Sequence, residues 1–194
     1  MTDLRILHVL GQRPAMTGSG IYLKALIRES QKHGITCYRI AGVPAGSLDP
    51  SAVRRSVDGD YVLFESEPLN FPVVGMSDVM PYRSSLFSEL SGRRLTAYKA
   101  EFSRVIKQAI NRFRPHILHT NHLFLLSALI RKRFPDLPMV TTCHGTELRQ
   151  FEQCPHLRRF VQRYCRRIDM IIALSADQKT EIRRVYDIPT ESIV

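Results

Sequence analysis

The sequence holds no run of roughly eighteen apolar residues, the length a membrane-spanning helix requires. Nor does it open with a charged-then-apolar leader, because Met1-Thr2-Asp3 leads straight into a strand-like segment. The expectation is a cytoplasmic chain with neither a spanning helix nor a secretory signal. Cysteine is scarce: Cys37, Cys143, Cys154 and Cys165 are the only four, and none forms a Cys-x-x-Cys pair. That argues against zinc ribbons and thioredoxin-like motifs, and leaves free thiols in a reducing compartment as the expectation. A Cys154–Cys165 bridge, or a metal shared by these two with His156, is the alternative. Gly-x-Gly-x-x-Gly is missing, and so is the Lys-Ser/Thr step of a phosphate-binding P-loop. The segment Ile35 to Ala41 ends without an acidic residue, so a dinucleotide-dependent oxidoreductase is disfavoured. No helix-turn-helix, zinc or RNA-recognition signature supports a nucleic-acid-binding module. Internal repeats and low-complexity segments are absent as well.

What remains is ordinary globular composition. Of 194 residues 44% are hydrophobic and 24% charged, enough to build one core and hardly two. The net charge is +10, and arginines concentrate late: Arg131 and Arg133 flank Lys132, and Arg158, Arg159, Arg163, Arg166 and Arg167 share one segment. Such a surface suits phosphate-bearing ligands, nucleic acid or an anionic membrane face. It equally suits a solvated basic face balanced by another part of a larger protein.

The hydrophobic pattern alternates between strand and helix. Leu4 to Leu10 is an almost unbroken aliphatic run, as in a strand buried on both faces of a parallel sheet. A loop closing on Thr17-Gly18-Ser19-Gly20 follows. Tyr22, Leu23, Leu26 and Ile27 then recur at helical spacing up to Lys32, with Gly34 as the helix stop. Ile35 to Ala41 reads as a second strand, which completes a right-handed βαβ unit. Gly42 to Gly59 reads as loop with some helix, and Tyr61 to Phe64 as a short strand. A stretch dense in turn residues, from Pro68 to Pro81, has the character of a lid or binding loop.

A stripe of Leu95, Tyr98, Phe102, Val105, Ile106, Ala109, Ile110 and Phe113 predicts a helix that stops before Pro115. Strands are expected at Ile117–Thr120, Met139–Cys143 and Met170–Leu174, with helices at Leu123–Phe134 and Leu157–Ile168. A last helix opens on Ser175 and Gln178 at capping-box spacing and runs to about Tyr186. This alternation predicts a Rossmann-like, doubly wound α/β domain with a mostly parallel sheet and helices on both faces. Another strand is expected to begin after Ile188-Pro189, so the expected layout is one domain over residues 1–186 and an interdomain connection from 187 to 194.

In open parallel sheets, ligands bind beyond the carboxyl ends of the strands. Three loops meet that rule. Gly11 to Gly20 feeds a helix N-terminus whose free N–H groups and dipole favour phosphate or carboxylate, or else is only a flexible turn. His119, Asn121 and His122 end the Ile117 strand, as cleft-lining polar groups, structural histidines or metal ligands. His144-Gly145-Thr146-Glu147 ends the Met139 strand. There an imidazole at the cleft floor could donate to a hydroxyl or act in acid–base work, or could only tie the loop together.

Four stretches, in register along the chain, carry a resemblance to the N-terminal domain of retaining GT-B glycosyltransferases. They are Gly18-Ser19-Gly20-Ile21-Tyr22-Leu23; Arg114-Pro115-His116-Ile117-Leu118-His119-Thr120-Asn121; Val140-Thr141-Thr142-Cys143-His144-Gly145-Thr146-Glu147; and Ile168-Asp169-Met170-Ile171-Ile172-Ala173-Leu174-Ser175. The sequence departs from the family pattern in placing His116 at a usual aspartate and Asn121 at a usual histidine, and in lacking an adjacent Gly-Gly pair.

The resemblance implies half of a GT-B architecture, with a donor-binding C-terminal domain as partner. It implies transfer of a sugar from a UDP-, GDP- or ADP-linked donor to a glycan, lipid-linked or small-molecule acceptor, with retention and without a metal or cofactor. By it, His144 would contact the transferred sugar as the catalytic residue. Gly18, Ser19, Gly20, His119, Asn121, Gly145, Thr146, Glu147 and Ser175 would line the substrate cleft. The domain alone is expected to be inactive, and peripheral contact with the inner membrane face is a minor expectation. A non-catalytic glycan- or nucleotide-binding domain of the same fold is the alternative, and nucleic acid is not expected as a partner.

Overall fold

A computed structural model describes residues 3–14, 16–47 and 59–194. Strand β1 (Arg5–Leu10) is followed by helix α1 (Gly18–Lys32), β2 (Thr36–Pro44) and β3 (Gly59–Phe64). Two short strands, β4 (Val74–Gly75) and β5 (Ser85–Leu86), pair with each other. Then come α2 (Gly92–Phe113), β6 (Ile117–Asn121), α3 (Leu125–Arg133), β7 (Met139–Thr142), α4 (Thr146–Gln153), α5 (Pro155–Cys165), β8 (Met170–Ile172) and α6 (Ala176–Tyr186). Six strands form one parallel sheet in the order β3-β2-β1-β6-β7-β8. The order reverses between β1 and β6, which makes their carboxyl ends the switch point where such sheets open a crevice.

Alternation along the strands sorts side chains onto two different faces. Leu7, Val9, Ile40 and Leu118 join the main core with Tyr98, Phe102, Val105 and Ile106 of α2. Each such burial is worth about 1.5–3 kcal/mol, so packing rather than helix propensity holds α2 in place. The intervening positions His8, His119 and Thr142 face α1, whose Tyr22 hydroxyl lies 3.4 Å from Thr142 Oγ1. The first face is largely apolar, with Thr120, Thr141 and Ser127 bonded to one another within it, and the second carries the buried imidazoles.

Two family-like stretches are structural. Asp169, just before β8, accepts from the Met139 N–H at 2.7 Å and from the buried guanidinium of Arg131, tying α3, β7 and β8 together. His116, at a usual aspartate position, still acts as an acceptor: its Nδ1 takes the Arg5 N–H at 3.1 Å.

The expected elements are present, with differences at their ends. The anticipated loop from Gly42 begins instead as strand, because β2 continues to Pro44, and residues 48–58 lie outside the described residues. The helix expected from Leu123 starts at Leu125, because His122 adopts a left-handed φ of 72° and turns the chain first. Helix α4 was not foreseen; Cys154 separates it from α5, which Pro155 opens. At the carboxyl end Ile193 makes a parallel bridge to Ile171, where the sequence suggests a further strand. All four cysteines are separate, buried thiols. No helix among the described residues is long and apolar enough to cross a membrane.

Candidate active site

The three loops picked out by the strand-end rule converge on one cleft of about 500 Å³. Gln12, Thr17, Gly18 and Ser19 come from the β1–α1 connection, and His122 from the end of β6. His144 and Thr146 come from the end of β7, and Met76 to Pro81 form the opposite wall.

Thr17 caps α1 by accepting from the Gly20 N–H at 3.2 Å. The N–H groups of Gly18 and Ser19, in the first turn of α1, have no partner among the described residues. Gly20 is buried inside the first turn. Gln12 is the hub of this wall. Its amide nitrogen donates to Ser19 Oγ at 2.7 Å and lies 3.1 Å from His122 Nε2. Its amide oxygen accepts from the Met76 N–H at 3.3 Å, which fastens the Met76–Pro81 segment to the glycine loop.

His144 follows β7, and Gly145 (φ 98°) makes the turn into α4 that a side chain would strain. The imidazole stands edge-on to Tyr22, with ring centres 5.2 Å apart, and lies 4.8 Å from His122. Burial, and secondarily the neighbouring His122, lower its pKa to about 4 despite the opposing pull of Glu147. His144 is therefore a neutral polar group at physiological pH.

Glu147 is fully buried behind the cleft rather than on its wall. Its carboxylate accepts from the N–H of His144 at 2.8 Å and of Leu123 at 3.0 Å, and lies 3.4 Å from His122 Nδ1. Burial pushes this carboxyl up, but His122 and the backbone donors outweigh it and hold the pKa at about 2. The charge thus braces the β6 and β7 loops against each other. His119 also lies below the floor, bonded to His8 (Nδ1–Nδ1 2.9 Å) and to Thr142 Oγ1 (2.9 Å). Burial and the adjacent imidazole lower His8 to about 3, and burial and His144 lower His119 to about 4.

Asn121 supports His144 from beneath, and Gly145 supplies the turn. Ser175 caps α6 by accepting from the Gln178 N–H at 3.2 Å, while its neighbour Leu174 reaches the cleft. Of the candidate residues named from sequence, Gly18, Ser19, His122, His144 and Thr146 line the cleft directly. Gln12 and Tyr22 also line it and are not among the site residues expected from sequence, although Tyr22 lies in the Gly18–Leu23 stretch and on the apolar stripe that marked α1.

Fold and site together define a doubly wound α/β domain with a polar cleft at its switch point. Residues 16–194 match the family model for Glycosyltransferase Family 4, and the chain belongs to that family. No curated protein sequence matches it. Among solved structures, sucrose-phosphate synthase from Thermosynechococcus elongatus is similar at 15% identity and a TM-score of 0.68, over 99% of this chain and 47% of that one. UDP-GlcNAc 2-epimerase from Neisseria meningitidis, solved with UDP-GlcNAc, is similar at 16% identity and a TM-score of 0.58, over 98% of this chain and 45% of that one. The Methanocaldococcus jannaschii UDP-GlcNAc 2-epimerase gives 11%, 0.57, 98% and 45%. These likenesses are of fold, and the chain spans just under half the length of each.

Proposed function

We propose that this domain is the acceptor-side half of a retaining, metal-independent glycosyltransferase. It would move a sugar from a UDP-, GDP- or ADP-linked donor to a glycan, lipid-linked or small-molecule acceptor. The observation that carries this reading is the convergence of a helix N-terminus, a neutral imidazole and the Met76–Pro81 wall on one cleft, in a Family 4 domain. The first-turn N–H groups of Gly18 and Ser19, beside the cleft, suit a phosphate or sugar oxygen approaching α1. His144 would contact the transferred sugar, and Thr146 would line the same place. The Met76–Pro81 segment would meet the acceptor.

The partner domain would bind the nucleotide and supply most of the groups that stabilise the departing diphosphate, through helix dipoles and basic side chains. This chain by itself would then turn over no donor. The enzyme would work in the cytoplasm. Peripheral contact with an anionic inner membrane face would use the basic surface of α5, where Arg158, Arg159 and Arg163 are exposed.

The test is a screen of nucleoside-diphosphate sugars against the two-domain protein, with the anomeric configuration of the product read by NMR. Transfer with retention is expected. Binding of a nucleotide sugar without transfer or hydrolysis would instead support a non-catalytic glycan- or nucleotide-binding domain.

A further inference from the structure

Asn121 occupies a place where its two amide atoms cannot be exchanged. It stands at the end of β6, 99% buried, between the backbone of β1 and the imidazole of His144. On one side the Val9 carbonyl oxygen lies 3.4 Å away, and a carbonyl can only accept. The Asn121 nitrogen must therefore face Val9, and its oxygen must face His144, which it meets at 3.0 Å from Nε2. An amide oxygen also only accepts. The hydrogen of the His144 ring therefore sits on Nε2, and Nδ1 is left bare.

Nδ1 has no hydrogen-bond partner among the described residues, and it is not an enclosed atom. The ring to which it belongs lines the cleft. A bare ring nitrogen cannot donate, so the direction of bonding at this point is opposite to that considered from sequence, in which the imidazole donates to a hydroxyl.

We propose that Asn121 is a positioning residue that locks His144 in its Nε2–H tautomer, so that Nδ1 offers a lone pair to the cleft and takes an O–H or N–H donor of the ligand. The contact then selects a neutral sugar hydroxyl, or an amide N–H, over a carboxylate or phosphate oxygen, which would meet a lone pair with a lone pair. The ligand half of this inference rests on the sugar-transfer reading. The tautomer half does not, because it follows from the Val9–Asn121–His144 geometry alone.

The test is therefore made on the 194-residue chain without any ligand, by long-range proton–nitrogen correlation of the histidine rings from about pH 5 to about pH 8. The His144 signals are assigned by their loss in His144→Gln. The expected pattern is a protonated nitrogen at Nε2 and a bare one at Nδ1, constant across the range. Asn121→Leu, similar in volume but without an amide, should move both nitrogens to intermediate shifts as the tautomers mix. Asn121→Asp keeps an acceptor in place and adds a charge, and should raise the midpoint of His144 titration by a unit or more.

A wild-type ring with its hydrogen on Nδ1 overturns the proposal. So does Asn121→Leu with an unchanged tautomer in a natively folded chain. If the leucine variant does not fold, an unshifted midpoint in Asn121→Asp overturns it as well. Failure of these outcomes leaves sugar transfer itself untouched, and absence of transfer in the two-domain protein leaves the tautomer result standing.

Discussion

The carboxylate of Glu147 accepts the backbone N–H of His144 at 2.8 Å, so the cleft histidine is positioned from behind by a charge that never meets solvent. The same carboxylate takes the Leu123 N–H at 3.0 Å, which makes one residue responsible for the shape of two strand-end loops.

Glu147→Gln should therefore cost about 1.5–3 kcal/mol of stability at neutral pH, the usual scale for weakening buried hydrogen bonds to a charged acceptor. The pH dependence has a definite sign. The folded carboxyl is held at about 2, below its unfolded range, so its contribution is full above the unfolded pKa and fades as pH falls toward 2. Urea denaturation at neutral and acid pH checks both points: the variant should lose the acid dependence that the native chain shows between the unfolded carboxylate range and pH 2.

The buried imidazoles act in the same direction over a higher window. His8, at about 3, and His119 and His144, each at about 4, are neutral in the folded chain where unfolded histidines take up protons. Stability should decline as pH drops from about 6.5 toward 4, before the carboxylate begins to titrate. His119→Gln should flatten that part of the melting-temperature profile, and an unchanged slope would speak against a neutral buried pair.

Gly145→Ala places a side chain at φ 98° with its Cβ 3.3 Å from Gln178 Nε2. The expected loss is about 1–2 kcal/mol from backbone strain alone. It reads as a lower denaturation midpoint with an unchanged slope.

Gln12→Ala removes the contact to the Met76 N–H and frees the cleft wall. Arg83, exposed just beyond that wall, should then be cut by trypsin faster than in the native chain, by more than the change in global stability measured by urea denaturation accounts for. Equal cleavage rates would show that Gln12 does not hold the segment.

Much of the fold is legible in the sequence because its signals are periodic. The stripe from Tyr98 to Ala109 and the run from Leu7 to Leu10 declare helix and strand on their own. Helix α4 escaped because its buried positions, Glu147 and Gln150, are polar and leave no apolar stripe. The cleft is partly legible through the strand-end rule, which finds Ser19, His122 and His144. It cannot separate a wall residue from one behind the wall. Glu147 lies two positions from Gly145 in sequence, yet the donors that bury it come from His144 and from Leu123 on another loop. Gln12 is invisible for a related reason: a lone glutamine in a loop has meaning only once Ser19, His122 and Met76 are seen around it. His8 reads as an interruption of an aliphatic run until the β1–β6 register sets it against His119.

The central claim, that this cleft serves sugar transfer, is tested most directly by donor turnover in the two-domain protein and in its His144→Gln variant. Labelled sugar should pass from a nucleoside-diphosphate donor to acceptor or to water. The variant should fold normally and lose kcat/KM by about 100-fold, the scale of one positioned polar group at a reacting centre. Undiminished turnover in a natively folded variant, or no turnover of any UDP-, GDP- or ADP-linked sugar by the wild type, would contradict the account.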